Sequence, residues 1–161
     1  MGKIIAPEKA DSISQPLHEK GNTIVLAGGC FDILHVGHIT FLQKAKEQGD
    51  VLIVLLENDE TIRRMKGEGR PINTQEDRGL VLASLSCVDY VVSLPNVFSD
   101  KDYDGLVLRI KPAIIAITRA DPYRLHKERQ ANLSDALVVD VTNYINNQST
   151  TRIANLLKRE L

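Results

Sequence analysis

The chain has 161 residues, 43% apolar and 25% charged, which is the composition of one compact globular domain with room for a sizeable core. Its 20 Lys and Arg oppose 21 Asp and Glu, so there is no broad basic field for nucleic acid, and no apolar run approaches the roughly 20 residues that span a bilayer. The two cysteines, Cys30 and Cys87, make neither a metal knuckle nor a disulfide framework, and a cytoplasmic chain that binds neither nucleic acid nor membrane is the expectation.

Residues 1–21 read as an N-terminal extension. Pro7 and Pro16 interrupt it, polar residues dominate, and it is expected to be loose or to form a short helix against the body. It has no apolar core of the signal-peptide kind, and Ala6 stands where acylation at Gly2 would need Ser or Thr. The main domain is expected over 22–161. NTIVLAGG predicts a buried strand and HVGHITFLQKAKEQG a helix ending at Gly49, with Ile39, Leu42 and Ala45 toward the sheet. DVLIVLLEN predicts a strand covered on both faces, DETIRRM a short helix, and KGEGRPIN a basic loop. Thr74 is the expected N-cap of QEDRGLVLASLS, whose first turn is acidic. VDYVVSL, AIIAIT and DALVVDV predict three more strands, SDKDYDGLVLRIK and DPYRLHKERQANL two more helices, and STTRIANLLKREL a last helix capped by Ser149 or Thr150. This alternation predicts an α/β fold: a Rossmann-like open sheet of about five mostly parallel strands, with helices on both faces.

Ligands of such sheets bind beyond the carboxyl ends of the strands, where strand order reverses. Residues 28–38, GGCFDILHVGH, lie at such a junction but match neither the dinucleotide nor the P-loop spacing. His35 and His38 are three apart at a helix start and share a face with free backbone N–H groups and the positive end of the helix dipole. Gly37 removes a side chain between them, and Gly28 and Gly29 open the preceding turn. The arrangement can hold a polyphosphate. Zinc is the alternative ligand for the pair, with Cys30 as a third donor, but no further carboxylate or cysteine has ligand spacing. Lys66 begins a glycine-flanked loop and can close over phosphates as a mobile cation, and Arg70 has a similar standing. Arg78 sits near the start of a helix, an unfavourable end for a cation, which an anionic ligand would explain.

GGCFDILHVGHITFLQKAKEQGD resembles the opening of the cytidylyltransferase-like nucleotidyltransferases, whose mark is G-x-F-D-x-x-H-x-G-H. Gly29, Phe31, Asp32, His35, Gly37 and His38 all fit. The resemblance continues through KGEGRPINTQEDR, VDYVV and STTRI. Class I aminoacyl-tRNA synthetases share H-x-G-H, but they are much longer and carry a lysine-rich signature loop and tRNA-binding domains. The resemblance implies transfer of a nucleoside monophosphate from ATP or CTP to a small phosphorylated acceptor, with pyrophosphate leaving and Mg2+ bound mainly through the triphosphate. It implies catalytic roles for His35, His38 and Lys66. It implies nucleotide contacts from Gly29, Cys30, Phe31, Gly37, Asp121, Ser149, Thr150 and Thr151, and substrate contacts from Asp32, Arg70 and Arg78. Within the family the chain looks most like the adenylyltransferases that form ADP-heptose from heptose 1-phosphate. Cytidylyltransferases acting on glycerol 3-phosphate are the alternative, as is a nucleotide-binding module without turnover. Those adenylyltransferases typically show a lysine, two glycines, an aspartate and a tyrosine after the fourth strand, where this chain has Thr118, Arg119, Ala120, Asp121, Pro122 and Tyr123. Family members are often dimers, so a homodimer would explain apolar surface after residue 74.

Overall fold

The computed structural model describes residues 2–143, 150 and 152–155. Six strands form one parallel sheet in the order β1-β4-β3-β2-β5-β6. They are β1 (Lys3–Ile5), β2 (Ile24–Gly29), β3 (Val51–Leu56), β4 (Tyr90–Ser93), β5 (Ile114–Thr118) and β6 (Leu137–Thr142). The helices are α1 (Ala10–Glu19), α2 (Val36–Lys46), α3 (Asp59–Lys66), α4 (Gln75–Ala83), α5 (Asp100–Ile110) and α6 (Arg124–Ser134). Residues 150 and 152–155 are helical as well. No helix among the described residues is long and apolar enough to cross a membrane.

The apolar runs become the central strands because helices cover both of their faces. All six residues of β3 are buried. On one face Leu26, Ile53, Leu55 and Ile115 pack with Leu106, Val107 and Ile110 of α5 and Ala131 of α6. On the other, Val25, Ala27, Leu52, Val54 and Val91 pack with Phe41, Leu42 and Ala45 of α2 and Leu82 and Ala83 of α4. Thr74 caps α4 as expected, its side chain accepting from the Asp77 N–H, and Ser99 caps α5 through a full capping box with Asp102. Gly67, at φ 90°, ends α3 in a backbone conformation that a side chain would strain.

The sixth strand comes from the extension. Lys3–Ile5 pairs in parallel with β4 at the sheet edge, and Gly2 N–H donates to the Ala83 carbonyl. Three residues are too few to show alternation, so only the waiting edge of β4 identifies them as a strand. The helix that follows runs through Pro16 rather than breaking there. Packing outweighs the lost backbone bond: Ala10 enters the core, Ser14 Oγ donates to the Arg109 carbonyl at 3.1 Å, and His18 Nε2 lies 3.0 Å from the Ile110 carbonyl.

The chain steps outward from β2 to β3 and β4, then crosses back to β5 on the other side of β2. The reversal leaves a crevice at the carboxyl end of β2.

Candidate active site

β2 ends in Gly28 and Gly29, whose missing side chains would point to opposite faces of the sheet. A Cβ on Gly29 would lie 2.9 Å from the ring of Phe31, which folds back over the strand end. Phe31 is buried and has φ 46°, the left-handed region that a bulky residue adopts only when its surroundings dictate it. Its ring meets that of His38 edge-on at 5.3 Å between centroids. Gly29 thus makes room for the aromatic wall behind the second histidine.

His35 is the N-cap of α2 in extended conformation, and His38 lies one turn on. Their rings stack with centroids 3.8 Å apart and planes 23° apart. Burial, the neighbouring His35 and the charge of Lys66 push His38 down to about 4. Burial and Lys66 lower His35 too. Both rings are therefore neutral at pH 7. The Nδ1 atoms of both are buried and have no hydrogen-bond partner among the described residues. Two uncharged imidazoles with unmet polar atoms thus stand at a helix start and beside a lysine, an arrangement that can accommodate an anion. Gly37 sits between them in the first turn.

Lys66 is the last residue of α3, exposed, and its charge is felt by His35, His38 and Cys30. Cys30 itself is half-buried, and burial raises its thiol. Arg70 uses Nε to hold Asp32 at 2.7 Å, while its buried Nη2 has no partner among the described residues. The N–H donors of Nη2 are thus unused among the described residues.

Two expected substrate contacts are placed differently. Asp32 is buried, and its carboxylate accepts from Arg70 and from the N–H groups of Ile72 and Asn73. Burial alone would raise its pKa, but these donors together hold it below the usual carboxylate range. Asp32 clasps the 70–73 loop to the strand end. The Arg78 side chain is 0% exposed. It donates to the carbonyls of Asn73, Cys30 and Glu57 and to the Asp59 carboxylate. Four of its five N–H donors are taken up within the protein. The cation near the α4 start is explained by internal acceptors from three surrounding segments.

Thr150 is buried, and its hydroxyl donates to the Ile33 carbonyl at 3.2 Å. The start of the C-terminal helical segment therefore docks on the loop that carries His35. Ser149 and Thr151 lie outside the described residues. Asp121 accepts from the Tyr123 N–H at 2.7 Å, closing the turn into α6.

Three residues that the sequence reading passes over stand at the same crevice. Glu57 follows β3 directly, and Tyr103 of α5 donates its hydroxyl to that carboxylate, with O–O distances of 2.6 and 2.7 Å. Lys127 of α6 brings Nζ to 3.6 Å from where a Gly28 Cβ would stand. A polar residue directly after a buried strand, and a lysine in the early turns of a helix, were the available signals.

The cytidylyltransferase-like family pattern matches residues 26–159. The chain is 42% identical over 152 residues to the bifunctional protein HldE of Nitratiruptor, covering 94% of this chain and 31% of that protein. It is 40% identical over 157 residues to HldE of Helicobacter hepaticus, covering 98% and 30%. The chain thus spans under a third of the length of these relatives. Among solved structures, a lipopolysaccharide core biosynthesis protein from Thermoplasma volcanium superposes with TM-score 0.65 at 29% identity, over 78% of this chain and 100% of that one. A pantoate–β-alanine ligase from Francisella tularensis, solved with an ATP analogue and β-alanine, reaches TM-score 0.63 at 18% identity, covering 98% of this chain and 77% of that one, and shows the fold alone.

Proposed function

This chain belongs to the cytidylyltransferase-like family of nucleotidyltransferases, and from that premise we propose that it transfers AMP from ATP to a sugar 1-phosphate, D-glycero-β-D-manno-heptose 1-phosphate, releasing pyrophosphate. The single observation that carries the reading is the stacked pair His35 and His38, with buried Nδ1 atoms unmet at the carboxyl end of β2. The choice of a heptose acceptor is supported by the likeness to bifunctional HldE over most of this chain.

The chemistry asks little of a general base. The second ionisation of a phosphate monoester lies at about pH 6, so the acceptor is already a dianion at neutral pH. The protein's work is alignment and stabilisation of charge at the pentavalent phosphorus. His35 and His38, neutral in the free protein, donate to the triphosphate. As negative charge gathers there the imidazolium form of His38 becomes favourable. Lys66 closes over the outer phosphates from the end of α3, and Arg70 offers Nη2. Thr150, by its bond to Ile33, holds the opposite wall of the pocket against the histidine loop. Among the described residues no cluster of three or more His, Cys, Asp or Glu forms a metal cage. In this reading Mg2+ arrives with the triphosphate and is held by its oxygens. A homodimer belongs to the same reading, with the half-exposed Leu80 and Val81 of α4 as the apolar surface it would cover.

The test is a matrix of triphosphates against acceptors, read by pyrophosphate release. ATP with heptose 1-phosphate should give the highest kcat/KM. CTP with glycerol 3-phosphate as the best pair would replace the adenylyl reading with the cytidylyl one. His38→Ala should lower kcat by about a hundredfold or more while the far-UV spectrum stays native. Release at the parent rate would remove the histidine from the mechanism.

A further inference from the structure

Lys127, Glu57 and Tyr103 form a polar cluster that neither the histidine pair nor the phosphate-binding loop uses. They come from three elements: α6, the end of β3, and α5. The side chain of Gly28 is missing, and the space in front of it is taken by Lys127 Nζ, with Leu55 beside it. Gly29, the next residue, faces Phe31 and through it His38. Because neighbouring strand residues point to opposite faces, the cluster and the histidines flank one strand end from two sides.

The charges are arranged unequally. Glu57 is half-buried and has both oxygens within hydrogen-bond distance of the Tyr103 hydroxyl, which fixes the plane of the carboxylate. Phe98 holds the Tyr103 ring in turn, edge-on at 4.8 Å. A single phenolic proton leaves most of the carboxylate's lone pairs unused. Lys127 feels the charges of Glu57 and Asp121, yet has no hydrogen-bond or ion-pair partner among the described residues. An ammonium group half-withdrawn from water without a direct partner is costly unless an anion completes it. The two groups together offer one site for a phosphate and, beside it, acceptors for hydroxyls.

Resting on the nucleotidyl-transfer reading, we infer that Lys127 binds the phosphate of the acceptor, and that Glu57, oriented by Tyr103, binds hydroxyl groups on the acceptor's body. The acceptor is then a polyhydroxylated phosphate monoester rather than a bare or apolar one. The position suits the reaction. In-line displacement brings the nucleophilic oxygen to the α-phosphorus from the side opposite the departing pyrophosphate. With the triphosphate on the histidine side of the strand end, the acceptor oxygen arrives from the Gly28 side. One acceptor oxygen forms the new P–O bond, and the bond to the bridging oxygen of the pyrophosphate breaks, its electron pair leaving with pyrophosphate. A Cβ at Gly28 would stand 3.6 Å from Lys127 Nζ, which places the lysine beside the carboxyl end of β2.

The experiment measures KM for ATP and for each of two acceptors, heptose 1-phosphate and glycerol 3-phosphate, in the full chain and in Lys127→Met, Lys127→Arg and Tyr103→Phe. Lys127→Met should raise the acceptor KM by about tenfold or more, the loss typical of a charge-assisted hydrogen bond, with less than about a twofold change in the KM for ATP. Lys127→Arg should recover part of that loss. Tyr103→Phe should narrow the preference between the two acceptors, because it frees the carboxylate that reads the hydroxyls. This variant also keeps the inference testable if Lys127→Met does not fold. A rise confined to the KM for ATP would place Lys127 on the triphosphate and overturn the inference. So would unchanged acceptor KM in Lys127→Met, or unchanged preference in Tyr103→Phe. If the parent chain releases no pyrophosphate with any pair, nucleotidyl transfer itself fails and the inference falls with it.

Discussion

A histidine ring pressed against a second imidazole and walled in by a phenylalanine holds its proton poorly. The consequence for His38 reaches beyond catalysis. In the unfolded chain its imidazole titrates at about 6.5, and in the fold at about 4. Between those values the unfolded state binds the proton and the folded state does not, so stability rises with pH across that window. The contribution is complete above pH 6.5 and is lost progressively as pH falls toward 4. In full the loss amounts to roughly 3 kcal/mol, and His35 acts in the same direction. Chemical denaturation between pH 7 and 4.5 should therefore show a steep decline in the parent protein and a shallower one in His38→Gln. Saturating triphosphate should flatten the parent's decline, since its negative charge favours the imidazolium. Parallel slopes in parent and variant would mean that His38 is not the group being titrated.

The histidine stack depends on how the loops around it are tied down, and here the fold departs most from what the sequence discloses. The cap at Thr74 and the acidic first turn of α4 are local signals, and both appear as read. Arg78 stands out in the sequence as a cation near a helix start, but its explanation lies in Cys30, Glu57 and Asp59, which are 48, 21 and 19 positions away. Such distant acceptors leave no local pattern, so the internal tie of Arg78 cannot be read from its place near the helix start. Asp32 is a parallel case, because its partners lie 38 to 41 positions on. His35, His38 and the loop glycines were legible because they sit in one short stretch. Lys127 and Tyr103 reach the same crevice only through the crossover to β5 and were not. Arg78→Met should cost about 3 kcal/mol, because several carbonyls and the partly exposed Asp59 carboxylate lose their donor. Arg78→Lys should recover little, because one ammonium cannot span four acceptors in the plane of a guanidinium fork. The melting temperatures of the two variants check this. A protein as stable as the parent but weak in acceptor binding would return Arg78 to the substrate.

At the scale of the molecule the question is whether residues 1–21 are an appendage or part of the body. The strand β1 covers the edge of β4, which would otherwise present unpaired N–H and C=O groups along a Val-rich segment. Behind it, α1 inserts Ala10 into the core and sets Ser14 and His18 on the last carbonyls of α5, where a helix has no partners of its own. The two side-chain bonds contribute about 1 kcal/mol each, before counting the strand ladder. The crevice that holds the histidine pair lies elsewhere, at β2, with β3 and β4 between it and this edge. Removing residues 2–21 should therefore separate stability from function. The shortened chain should melt at a lower temperature and scatter light increasingly with concentration as β4 edges pair. At concentrations where it stays monodisperse, the KM for triphosphate should change by less than about twofold, since β4 and β3 separate the deleted strand from the histidine pair. A shortened chain that melts with the parent would make the extension dispensable. One that keeps its stability but loses triphosphate binding would connect the far edge of the sheet to the site by a route that none of these contacts provides.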